Sequence, residues 1–214
     1  MTLHHSTRHL ALLAFGYGLS IVAASGLLGS YRSYAGQPAL ERILVLFMFP
    51  LTATVIWALV HSLQRRRLPD QENGLADGAI RDILFWVVLF LIGIHTLLVG
   101  VLFSVTWIEP WAQRGVVVLA GVALIAVGNI LPRTRPNIAL GMRTTRTLTD
   151  RQLWMLTHRT MGYAAVMVGV VTIVAGLFLS KTQVAAVPGT TFLFALAAVL
   201  LVYWKSSTTT NPQA

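Results

Sequence analysis

Long apolar runs alternate with short polar segments along this chain. Six runs cover residues 10–28, 43–63, 83–105, 116–131, 153–179 and 190–204. Most reach the roughly 20 residues that a helix needs to cross a bilayer; the fourth and sixth are shorter. The pattern predicts an all-α protein: a polytopic membrane helical bundle with six transmembrane helices, forming one domain over residues 1–214. Small-residue cleavage signals do not clearly end the first run, where Ala23-Ala24-Ser25 comes nearest, so it reads as a retained span. Gly16, Gly18 and Ser20 suit it to close helix packing. Pro50 predicts a kink in the second span. Gly115, Gly121 and Gly128 in the fourth span, and Gly162, Gly169 and Gly176 in the fifth, predict two close-packing stripes.

The connections carry interfacial anchors and charge. Trp107 and Trp111 flank a short turn, and Tyr203, Trp204 and Lys205 close the last span. Arg65, Arg66 and Arg67 open a solvated segment over 64–79. With six spans, 12 Lys and Arg fall on the side of the termini and 4 on the other. Positive charge collects on the cytoplasmic side, so both termini are expected in the cytoplasm of a bacterial inner membrane.

Composition agrees with the pattern. The chain has 214 residues, of which 56% are hydrophobic and 11% charged, against about 25% charged in soluble domains. It has no cysteine, which excludes disulfides and thiolate metal sites. The formal charge of +9 would suggest nucleic acid in a soluble protein. Here membrane topology accounts for most of it, and no direct nucleic-acid contact is expected. The expected partner is the lipid bilayer.

One segment departs from the apolar background. Residues 129–162 read NILPRTRPNIALGMRTTRTLTDRQLWMLTHRTMG. Pro132 and Pro136 stop the fourth helix, while Asn137 and Gly141 suit tight turns, so 131–148 is expected as a shaped, non-helical loop. Thr149 is the expected N-cap of the next helix, with Asp150 in its first turn and Gln152 completing a capping box. A helix from Asp150 to about Leu179 is about 45 Å long, beyond the roughly 30 Å hydrocarbon core. Its first turns, with Trp154, His158 and Arg159, are therefore expected at headgroup depth. Asp150, Trp154, His158 and Met161 or Gly162 share one face. Six arginines (133, 135, 143, 146, 151 and 159) crowd this connection. They serve either orientation alone or an anion or partner site, since guanidinium forks bind carboxylate and phosphate in defined geometry.

The spaced elements Gly128-Asn129-x-x-Pro132, Arg135-Pro136-Asn137, Gly141-x-Arg143-Thr144, Thr147-Leu148, Trp154-x-x-Thr157-His158-Arg159 and Gly162 resemble the hallmark of the SdpI family of bacterial membrane proteins. Thr145 and Arg146 stand where members often carry Pro-Trp. The resemblance implies toxin immunity, signal transduction, or both, by binding a peptide toxin or a repressor protein. No cofactor is expected. The residues carried over as partner- or ligand-binding are Asn129, Pro136, Asn137, Gly141, Arg143, Thr144, Trp154, His158 and Arg159.

A rival reading places small-molecule or metal chemistry, enzymatic or transporting, within the bundle. His95 lies near the middle of the third span, and His158 and His61 lie near span ends. An ionisable group at such depth faces the bundle interior, where it is either a packed, hydrogen-bonded residue or a ligand. A metal needs three or four ligands, and these histidines follow no spacing motif. Every acid lies at a span end or in a loop, which argues against a proton-coupled carrier. The reading therefore leans away from an enzyme.

Overall fold

The structure, a computed structural model, describes residues 3–26, 39–65, 74–135 and 150–180, with single helical positions at 183, 193, 196, 197, 200, 201 and 204. It contains α1 (Leu3–Ala24), α2 (Ala39–Arg65), α3 (Gly74–Leu102), α4 (Ala112–Ile130) and α5 (Arg151–Phe178). One 3-10 turn, Leu131–Arg133, follows α4. No strand occurs among the described residues. Among the described residues, five helices are long and apolar enough to cross a membrane. The expected sixth span falls mostly outside the described residues, so the all-helical class holds while the count of six stands as an expectation. At its single described positions, Leu193, Leu196, Leu200, Leu201 and Trp204 are exposed.

Helix limits run past the apolar cores predicted for them. The first helix begins at Leu3 and the third at Gly74, so part of the segment expected as a solvated loop is helical. Polar flanks extend a helix that tertiary packing already holds, because propagation adds a backbone bond for each residue fixed.

Two packing units share α3. Helices α1, α2 and α3 pack on one another, and α4 packs on α3 and most extensively on α5. Leu13, Ala53, Leu84, Val88 and Ile92 form the centre of the first unit. Near one end of it, Ala23, Leu46, Val99, Leu102 and Phe103 close the core. At the opposite end, Ala79, Ile83, Ile130 and Leu131 join α3 to the end of α4, with Met161 of α5 against them.

The α4–α5 seam is built on glycines. A Cβ at Gly121 would stand 2.7 Å from the Gly169 carbonyl oxygen, and one at Gly128 would stand 2.7 Å from that of Gly162. Two glycines of each expected stripe therefore face each other at backbone contact, whereas Gly176 meets the Val117 and Val118 side chains and Gly115 faces Leu97 of α3 instead. Small residues allow that approach, and dispersion between the backbones rewards it. Arg114 closes the far end of the seam. Its guanidinium donates to the carbonyl oxygens of Leu177 (3.0 Å) and Leu179 (3.3 Å), which lack helical partners at the C-terminus of α5.

Candidate functional site

Arg8, Arg81, Arg133, Arg135, Arg151 and Arg159 gather at one end of the bundle, where α1, α3 and α5 begin and α4 ends. Among the described residues, Arg42 and Arg114 belong to the other end. The alternating helix directions bring together arginines that lie far apart in sequence.

Asp150 organises the start of α5. Its carboxylate accepts from the backbone N–H groups of Gln152 (2.8 Å) and Leu153 (3.0 Å), so it is the N-cap. The expected cap at Thr149 moves by one residue. A carboxylate suits this place because two orphan amides and the positive helix end both favour an anion.

One turn later the face predicted from spacing is present, but it points into the protein. Trp154 is 0% exposed and His158 is 1% exposed. Their rings stack with centroids 3.9 Å apart and planes at 16°. The Trp154 indole Nε1–H donates to the carbonyl oxygen of Thr134 at 3.0 Å. Thr134 is itself buried, and its hydroxyl donates to the Leu131 carbonyl at 2.7 Å. Gly162 leaves room for the Pro132 ring, which would lie 3.0 Å from a Cβ there. Gly128, Pro132, Thr134, Trp154, His158 and Gly162 thus interlock. Together they fix the point at which the chain leaves α4.

Hydrogen-bond bookkeeping assigns the tautomer of His158. Its Nδ1 lies 3.0 Å from the Trp154 carbonyl oxygen, which only accepts, so Nδ1 carries the proton. Nε2 is then a bare acceptor, buried and without a hydrogen-bond partner among the described residues. A bare imidazole nitrogen accepts a hydrogen bond or ligates a metal.

His95 sits in a different environment. It is 0% exposed, and its Nε2 is 3.0 Å from the Ser20 hydroxyl oxygen. Ser20 has one proton and lies 2.7 Å from the Leu46 carbonyl oxygen and 3.1 Å from that of Gly16. The proton goes to a carbonyl, so His95 Nε2–H donates to Ser20. Here the packed, hydrogen-bonded reading of the histidine describes the observed bonds, although Nδ1 has no partner among the described residues. His61 is exposed and stacked on Trp57 at 5.4 Å. Among the described residues no three His, Cys, Asp or Glu side chains come together as a metal site.

The remaining predicted residues divide. Arg159 is exposed, donates from Nε to the Tyr163 hydroxyl at 3.1 Å and lies 5.6 Å from that ring's centroid. Asn129 is exposed on the last turn of α4. Pro136, Asn137, Gly141, Arg143 and Thr144 lie outside the described residues. Thr134 was not singled out by the sequence. Its role is carried by a backbone carbonyl, which every residue has, so no side-chain signal announces it.

Residues 133–204, about a third of the chain, match the model of the SdpI/YfhL protein family. This bears out the resemblance read from the motif. No curated protein matches the chain, and no solved structure does.

Proposed function

We propose, from the SdpI/YfhL match and the spanning helices, that this protein confers immunity to a peptide toxin, relays a signal, or does both, by binding a toxin or regulator at its Arg-rich end. In this reading the protein is a multi-pass component of a bacterial inner membrane, with that end and both termini in the cytoplasm. The observation that carries it is the bond from the Trp154 indole to the Thr134 carbonyl. That bond ties the exit of α4 to the entry of α5 and supports a rigid frame for the arginines between them. Trp154 and His158 then act by holding the frame, while Arg143, Arg159 and their neighbours meet acidic groups of the partner.

The test is survival of bacteria exposed to secreted killing peptides, with and without the protein. Protection that falls on Arg143→Ala and Arg159→Ala at equal membrane abundance supports the reading. Full protection by both variants removes the Arg-rich end as the site.

A second reading rests on the ring nitrogens of His95 and His158 that have no partner among the described residues, which suit a small molecule or metal within the bundle. The two rings have different neighbours: His95 meets Ser20 of α1 and Phe49 of α2, whereas His158 stacks on Trp154 of its own helix. Metal content of the purified protein, compared with His95→Ala and His158→Ala, distinguishes this reading from the first.

A further inference from the structure

We propose that the cavity between α1, α3 and the end of α4 binds a phosphate group, carried by an anionic lipid headgroup or free in solution. This goes beyond the immunity or signalling reading and does not rest on it. The cavity has a volume of about 230 Å³, and its walls include Arg8, His9, Arg81, Asp82, Phe85 and Trp86.

Charge comes first. The two guanidinium groups and one carboxylate that line the space leave one net positive charge among them. A phosphodiester carries one negative charge and matches it.

Hydrogen bonding points the same way. The Arg81 Nε–H is buried and has no acceptor among the described residues. A buried donor without a partner is costly, and an anionic oxygen in the cavity would supply the missing acceptor. Arg8 reaches the space from α1 and Arg81 from α3. A tetrahedral phosphate offers oxygens to two guanidinium groups arriving from different directions. A planar carboxylate is saturated by one fork.

The walls are braced. His9 donates from Nε2 to the Arg81 carbonyl oxygen at 3.3 Å and meets the Phe85 ring edge-on at 6.0 Å. Phe85 in turn meets Trp86 edge-on at 5.9 Å. These contacts join α1 to α3 and give the cavity an aromatic side suited to the glycerol or acyl part of a lipid. Basic pockets between spanning helices take anionic headgroups by this combination of charge and apolar wall.

The test uses the full-length protein, stripped of lipid in detergent, with binding followed by native mass spectrometry. The probes are phosphatidylglycerol, phosphatidylcholine, inorganic phosphate and succinate. One phosphatidylglycerol is expected to bind at least tenfold more tightly than phosphatidylcholine, with a tenfold or greater loss in Arg8→Gln and Arg81→Gln. Binding of inorganic phosphate with the same loss in both variants, and no preference between the lipids, identifies the soluble source and supports the same chemistry. Arg8 is exposed, so Arg8→Gln keeps the test decisive if Arg81→Gln does not fold. Undiminished binding by Arg8→Gln, succinate bound as tightly as phosphate, or no phosphate-bearing probe bound overturns the proposal.

Discussion

The Ser20 hydroxyl donates to the Leu46 carbonyl at 2.7 Å, across from α1 to α2. Leu46 is the residue four positions before Pro50, whose nitrogen has no hydrogen to give. The proline therefore opens one helical carbonyl inside an apolar bundle, and a serine on the neighbouring helix closes it. His95 then donates to the same serine oxygen, so one side chain joins three helices.

Ser20→Ala is expected to destabilise the bundle by about 1–3 kcal/mol, since it leaves both the Leu46 carbonyl and the His95 N–H unpaired in the interior. With Pro50→Ala present, residue 50 regains an N–H for Leu46, and the same serine change should cost less. Detergent-denaturation midpoints of the parent, both single variants and the double variant measure the coupling. Simple additivity would dismiss the link between the proline and the serine.

Gly162→Ala places a Cβ 2.6 Å from the Gly128 carbonyl oxygen and 3.0 Å from Pro132. Backbone cannot yield as a side-chain tip does, so a loss of about 1–3 kcal/mol is expected from overpacking. Gly18 is the internal control, because a Cβ there meets nothing within 4 Å. Gly18→Ala should leave stability unchanged or raise it by up to about 1 kcal/mol. Thermal unfolding of the two variants side by side checks this, and equal effects would contradict the packing described.

Trp154→Phe keeps an aromatic ring in the stack with His158 but removes the N–H that reaches Thr134. The expected cost is about 1 kcal/mol, as for one neutral hydrogen bond. The local consequence should be larger than the global one: trypsin should cut faster after Arg133 while the overall melting temperature changes little. An unchanged cleavage rate would show that the indole does not hold the exit of α4.

Asp150→Ala removes an acceptor used by two backbone amides. A loss of about 0.5–2 kcal/mol is expected, whereas Asp150→Asn keeps an acceptor oxygen and should lose only part of that. Helical content near the start of α5, followed by amide hydrogen exchange at Gln152 and Leu153, reads the effect directly. Equal protection of these amides in parent and Asp150→Ala would place the cap elsewhere.

The sequence by itself determined what depends on local composition and period. Apolar runs marked the five described helices, four of them at spanning length, because a bilayer sets both their length and their polarity. Glycines seven apart identified the faces of α4 and α5 that meet, since only a residue without a side chain permits backbone contact. Spacing also placed Trp154, His158 and Gly162 on one face. It did not say whether that face met a partner or the protein's own interior. The tertiary structure decided that, by setting Thr134 and Pro132 of the preceding segment against it. The same holds for Ser20, His95 and the Leu46 carbonyl. Each belongs to a different helix, and their meeting depends on how three helices stack in depth. Stacking is set by the summed shapes of many side chains, and no single stretch of sequence contains it.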